Sequence, residues 1–192
     1  MKFYIRYVIT SVALTFFALS GYAQKNTFSL YLIGDAGLTL VSDNGLKQLM
    51  KSNFTDNVPS AFLFLGDNIY PSGMPDASDK HRSGAEDVMT AQVDLVKEFN
   101  SPVYFIPGNH DWERGKQNGW NRIRNQQSFV ESLQLPNYHF FPKGGCPGPV
   151  ELKLNEQLVM VLIDSQWFLH KHDKPQGAGS ECDLKNAEDL SG

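Results

Sequence analysis

Short apolar runs alternate along the chain with stretches in which apolar side chains recur every three or four positions. Residues 28–34 (FSLYLIG), 60–65 (SAFLFL) and 103–106 (VYFI) are rich in β-branched, aromatic and leucine residues and read as buried strands, the third stopped by Pro107. Between the strands lie helical patterns. Residues 40–51 put Leu46, Leu49 and Met50 on one side, and 86–99 put Val88, Met89, Val93, Val96 and Phe99 at helical intervals. The stretch 69–84, rich in Pro, Ser, Asp and Gly, predicts a long exposed loop. A third helix, 120–133, carries Ile123, Phe129, Val130 and Leu133 on its apolar side. The pattern then changes to strands at 138–141, 150–154 and 158–163 joined by tight turns, with Asn155-Glu156 the corner of a hairpin. A second sheet is expected to begin with these strands, so the architecture reads as a layered α/β sandwich. A last helix starts at 183–190, and the chain stops inside it.

Each of the first three strands runs into an acidic or amide-bearing turn: Gly34-Asp35-Ala36-Gly37, Gly66-Asp67-Asn68-Ile69-Tyr70 and Gly108-Asn109-His110-Asp111. Asp35 and Asp67 are 32 residues apart and Asp67 and Asn109 are 42 apart, each interval long enough for a helix and a returning strand. In an open α/β sheet, ligands gather outside the carboxyl ends of the strands, so side chains just past three successive strands converge. One Gly-Asp after a strand says little, because such turns are common. Three in this order point to a two-metal hydrolytic centre. Such a centre needs hard oxygen ligands, one carboxylate to bridge both ions, and an open position for water and substrate. Asp35 and Asp67 suit the carboxylate roles. Asn109 offers a neutral amide oxygen that leaves the positive charge available to an anionic phosphate. His110, next to it, is placed to stay off the metal and protonate the leaving oxygen.

Composition narrows the setting. Lys2 and Arg6 precede an apolar core at 7–19 and the small-residue pair of Gly21-Tyr22-Ala23, which predicts a signal peptide at 1–23, cleaved near Ala23, and a periplasmic or secreted domain at 24–192. The apolar core is shorter than a membrane span, so no transmembrane segment is expected in the mature chain. Residues 1–23 hold two of the 17 basic residues and none of the 21 acidic ones, so the mature chain carries a net charge of −6. That balance, with no Lys/Arg cluster, argues against nucleic acid as a partner. The two cysteines, Cys146 and Cys182, form a possible disulfide in an oxidising compartment, and their spacing matches no zinc knuckle.

In their order and spelling, Gly-Asp-x-Gly, Gly-Asp-Asn-x-Tyr and Gly-Asn-His-Asp resemble the calcineurin-like metallophosphoesterases, and within them the purple acid phosphatase branch. Gly37 stands where many such enzymes have His, and Tyr70 stands three residues after the bridging Asp, as in that branch. The resemblance covers about residues 28–164. It implies an α/β/β/α sandwich in which Asp35 and Tyr70 hold one metal, Asp67 bridges, Asn109 holds the second and His110 is the general acid. The implied cofactors are two divalent or trivalent ions, Fe with Zn, Mn or Fe. The family completes its site with a lone His after a later strand and a Gly-His-x-His motif. His170-Lys171-His172 has that last spacing, but Leu169 replaces the Gly and the pair comes early in the order, so a solvated loop is the expectation for it. The chain is accordingly expected to be truncated before the last strands.

Other polar and aromatic residues have plainer readings. His81 is a surface residue of the long loop and His139 a packed or edge histidine. Asp111 fixes its turn and the neighbouring imidazole, Asp164 is a turn residue or an orienting group, and Trp112, Trp120 and Trp167 are core or rim aromatics. The expected function is an exported acid-phosphatase-like hydrolase of small phosphomonoesters. The alternatives are a phosphodiesterase or nucleotidase on the same site, or a non-catalytic remnant that binds metal or phosphate.

Overall fold

The computed structural model describes residues 28–38, 44–54, 57–176 and 182. The segment 1–23 and the helix expected at 183–190 lie outside them. Four strands, β1 (Ser29–Ile33), β2 (Ser60–Phe64), β3 (Val103–Phe105) and β4 (Tyr138–Phe140), form one parallel sheet in the order β1-β2-β3-β4. Helices α1 (Asn44–Asn53), α2 (Arg82–Val96) and α3 (Gly119–Ser132) make the crossovers. Residues Ile33, Phe64, Phe105 and Phe140 are paired across the sheet in one row, so the loops after all four strands leave at the same edge.

Alternation along the strands feeds two cores. Phe62, Phe64, Val103, Phe105 and Phe140 point to the helices and pack with Met89, Val93 and Val96 of α2 and Ile123, Phe129 and Val130 of α3. Phe64 and Phe105 stack with ring centroids 4.6 Å apart, an offset-stacking distance that adds to their burial. The opposite face of the sheet, with Leu30, Leu63 and Tyr104, receives Met160 and Leu162 of a hairpin made of β5 (Val150–Lys153) and β6 (Val159–Leu162). Every residue of β2 is buried, as a central strand covered on both sides requires. The described residues thus build three layers, helices on a parallel sheet on an antiparallel hairpin. Among them no helix is long and apolar enough to cross a membrane.

The course of the chain departs from expectation in four places. First, 138–141 does not open the second sheet: Tyr138–Phe140 pairs in parallel with β3. A helix separates the two strands, and a helical link returns the chain to the end where it started, which makes the next strand a parallel neighbour. Second, the loop 69–84 is shorter and less exposed than expected. Helix α2 begins at Arg82, whose guanidinium bonds Glu86 one turn on at 2.7 Å, and Ile69, Gly73, Met74 and Pro75 are buried. Third, α2 ends at Val96, and Phe99 belongs to a separate 3-10 turn (Lys97–Phe99) closed by left-handed Asn100.

The fourth departure comes after β6. A short helix, α4 (Ser165–Leu169), starts there, capped by Asp164, whose carboxylate accepts from Gln166 N and Trp167 N. It folds His170 under Trp112 with ring centroids 4.8 Å apart, so His170 is buried rather than solvated. Burial, His172 and Lys174 hold its imidazole below the ordinary range.

Candidate metal centre

The three motif loops are knitted backbone to backbone. Gly37 N donates to Asp67 O at 3.0 Å, and a Cβ on Gly37 would sit 2.4 Å from the carbonyl carbon of Asn68. A Cβ on Gly108 would lie 2.3 Å from Oδ1 of Asp67. Both positions require glycine because another loop occupies the space a side chain would need. Asp35 and Asp67 themselves adopt left-handed backbone, with φ of 55° and 53°, a conformation uncommon for residues bearing a Cβ and concentrated at functional sites.

This packing brings three oxygen donors together. The Tyr70 hydroxyl lies 2.6 Å from Asp35 Oδ1 and 2.9 Å from Asp67 Oδ2, its one proton shared between the two carboxylates. The bond to Asp35, desolvation and the bond to Asp67 hold the phenol well above its usual range. The other oxygen of Asp67 accepts from His110 N at 3.0 Å. The His110 ring leans on the Tyr70 ring at 4.2 Å. Its Nδ1 lies 2.8 Å from the Pro71 carbonyl and 3.3 Å from Arg114 Nε. The carbonyl requires a proton on Nδ1 and the guanidinium requires a lone pair, and one nitrogen serves only one of them. The shorter contact assigns the proton to Nδ1 and leaves Nε2 as the free position.

Behind these groups, Asp111 is fully buried. Its carboxylate accepts from Asn68 N at 3.1 Å, Ile69 N at 3.1 Å and Gly108 N at 2.8 Å. It therefore clamps the second motif loop to the third, rather than orienting the neighbouring imidazole as expected. Burial pushes its carboxyl up to about 7, against the pull of those N–H groups. One residue further, Trp112 Nε1 donates to Asp164 Oδ2 at 2.7 Å, which ties the third loop to α4. Trp112 and Trp167 are core residues. Trp120 lies half-buried at the rim under Arg124, whose guanidinium is 5.5 Å from the ring centroid.

Asp35, Asp67, Tyr70 and His110 are thus assembled at the end of the sheet, with Asn109 exposed on the same loop. His81 is exposed on the way into α2, and His139 is packed between Tyr104 and Phe141 on the hairpin side. Arg114, which reaches His110, was not picked out from the sequence. It lies in an irregular turn with φ of 55°, and no residue pattern marks such a turn. Two carboxylates and a phenol sharing one proton are the donor chemistry of a hard cation, so the set fits one ion. For a second ion the chain offers Asp67 and Asn109. Among the described residues no group of three or more His, Cys, Asp or Glu side chains is placed to hold a metal.

The family model of the calcineurin-like phosphoesterases matches residues 28–185. That span begins one residue before β1 and contains all three motif loops. Comparisons with curated proteins and with solved structures find no match.

Proposed function

Since the chain belongs to the calcineurin-like phosphoesterase family, a family of metal-dependent phosphoesterases, we propose that it is an exported hydrolase of small phosphomonoesters, of the acid phosphatase type. The observation that carries this reading is the single hydroxyl of Tyr70 bonded to both Asp35 and Asp67. A proton there occupies the position that suits a cation, and its loss would turn the phenol into a hard anionic ligand suited to iron. Asp35 and Tyr70 would hold one ion, Asp67 would bridge, and Asn109 would contribute to the second. When bound, such ions lower the pKa of a water and stabilise the charge developing on the phosphoryl oxygens. The chain's own residues supply the rest. His110, its Nδ1–H held on the Pro71 carbonyl, would act as general acid from the imidazolium form, giving the proton on Nε2 to the leaving oxygen. Arg114 adds a guanidinium beside the same ring.

The test is turnover of an aryl phosphate monoester and the matching diester with iron, zinc or manganese added. Monoester hydrolysis is expected, lost in Asp67→Ala together with bound metal. His110→Ala should keep its metal and lose about 10²- to 10⁴-fold in kcat, and Tyr70→Phe should lose any phenolate-to-iron colour. Equal metal content in wild type and Asp67→Ala would refute the assignment. Faster diester turnover would favour the phosphodiesterase alternative. Metal or phosphate binding without turnover would favour a non-catalytic domain, the reading to which the sparse second ligand set lends support.

A further inference from the structure

Beside the metal centre lies a cavity of about 450 Å³ between the 69–75 loop and the first turns of α2, with Arg122 of α3 on its wall. Tyr70 belongs to both places: its hydroxyl meets the two carboxylates while the residue lines the cavity. Pro71 is shared in the same way, since its carbonyl holds His110 Nδ1 at 2.8 Å. A molecule in the cavity therefore lies against the residues that flank the proposed general acid. The walls are mainly apolar, with Ile69, Pro75, Ala85 and Val88 among them.

Both guanidinium groups beside the cavity are already engaged. Arg122 bonds Glu113 at 3.2 Å, and Arg82, which precedes the lining residues of α2, bonds Glu86 at 2.7 Å and the Pro75 carbonyl at 2.8 Å. The lining acid, Asp79, accepts from His81 N at 2.8 Å and leaves a negative charge at the mouth. A second phosphate would meet that carboxylate, guanidinium groups already paired and the exposed His81 ring. A flat uncharged body would meet proline, isoleucine, valine and an aromatic ring. Aryl groups gain most from such walls.

Resting on the phosphoesterase reading, we infer that this cavity receives the leaving group of the substrate and selects esters of uncharged aryl alcohols over polyphosphates. Gly84 offers the means to block it. It lines the cavity, it is exposed, and an added Cβ there meets nothing within 4 Å, so the position has room for a side chain, and Gly84→Trp is the first blocking variant. Val88→Trp, one turn on, is a second blocking variant.

The first experiment needs neither metal nor turnover. The full chain, metal-free and ¹⁵N-labelled, is titrated with 1-naphthol. Saturable shifts are expected on the amides of Gly73, Gly84 and Ala85, and both blocking variants should weaken binding about tenfold or more. No saturable shift, or shifts confined to another surface, would overturn the inference even if esters are hydrolysed. The second experiment compares kcat/KM of the metal-loaded protein. Wild type should prefer 1-naphthyl phosphate to adenosine triphosphate, and Gly84→Trp should lose about tenfold on the naphthyl ester while methyl phosphate is unchanged. An equal loss on both esters, or a preference for the triphosphate, would overturn it. Naphthol bound at those amides with no ester turned over would support the cavity as an aryl site and sink the phosphoesterase reading instead.

Discussion

Two buried carboxylates show how a single residue can set the geometry of loops that it joins. Asp111 is surrounded by N–H donors from both the second and third motif loops. Removing it would strand three backbone donors in a closed site, each costing about 1 to 3 kcal/mol. Asp111→Ala should therefore destabilise by about 3 kcal/mol or more, and Asp111→Asn should not restore stability, because its amide would present N–H to N–H. Thermal melts check both, and wild-type stability in the asparagine variant would contradict the clamp. Asp164 differs because its effect depends on pH. Burial pushes its carboxyl up to about 7, against the bonds from Trp112, Trp167 and Gln166. The folded protein then keeps a proton that the unfolded chain, titrating near the ordinary 3.8, has released. The stability this contributes is complete below the unfolded value and is lost as pH rises through the folded one. Relative to Asp164→Asn, wild type should lose about 2 to 3 kcal/mol between about pH 5 and pH 8. Urea unfolding at the two values measures this, and parallel losses in both proteins would place the effect on other groups.

Strands and helices shape the site chiefly through the loops that leave them. Parallel β1, β2 and β3 deliver their loops at one edge because their registers align Ile33, Phe64 and Phe105. The final approach is then made by backbone against backbone, at Gly37 on Asn68 and at Gly108 on Asp67. Gly37→Ala would force apart loops whose carbonyl carbon stands 2.4 Å from the new Cβ. It should cost about 1 to 3 kcal/mol by overpacking, and it should weaken metal binding because Asp35 and Asp67 lie on the two loops being separated. Calorimetric melts and metal titration of the variant check this. Unchanged stability together with unchanged metal affinity would mean that the loops tolerate separation. The glycines and acids of these loops were legible in the sequence. The order in which the loops touch was not, since each contact spans about 30 residues or more and depends on sheet register.

For the molecule as a whole, a covalent tie closes the segment that follows β4. Cys146, just past the Lys143–Gly145 turn, is bonded to Cys182, 36 residues on, with Cα atoms 5.5 Å apart. The closed loop contains the β5–β6 hairpin and α4. On the chain-entropy account a loop of that size contributes about 4 kcal/mol. Reduction, or the double variant Cys146→Ser with Cys182→Ser, should lower stability by about that amount. Thiol titration of the unreduced, unfolded protein should find no free thiol, and two free thiols would contradict the tie.

The sequence alone determined the strand and helix alternation, the acidic and amide turns after β1, β2 and β3, and the order of those turns. These are local properties, fixed by side-chain periodicity and by which residues tolerate a turn. It put Tyr138–Phe140 in the wrong sheet, because a three-residue strand carries no label for its partner. It also misread the surroundings of His170, whose burial depends on α4 folding beneath a tryptophan 58 residues earlier in the chain. Asp111 was read from sequence as fixing its own turn, and the tertiary structure made it the bond between two loops. Burial, charge pairing and the cavity beside Tyr70 arise only when distant segments exclude water from one another, so only the tertiary structure decided them.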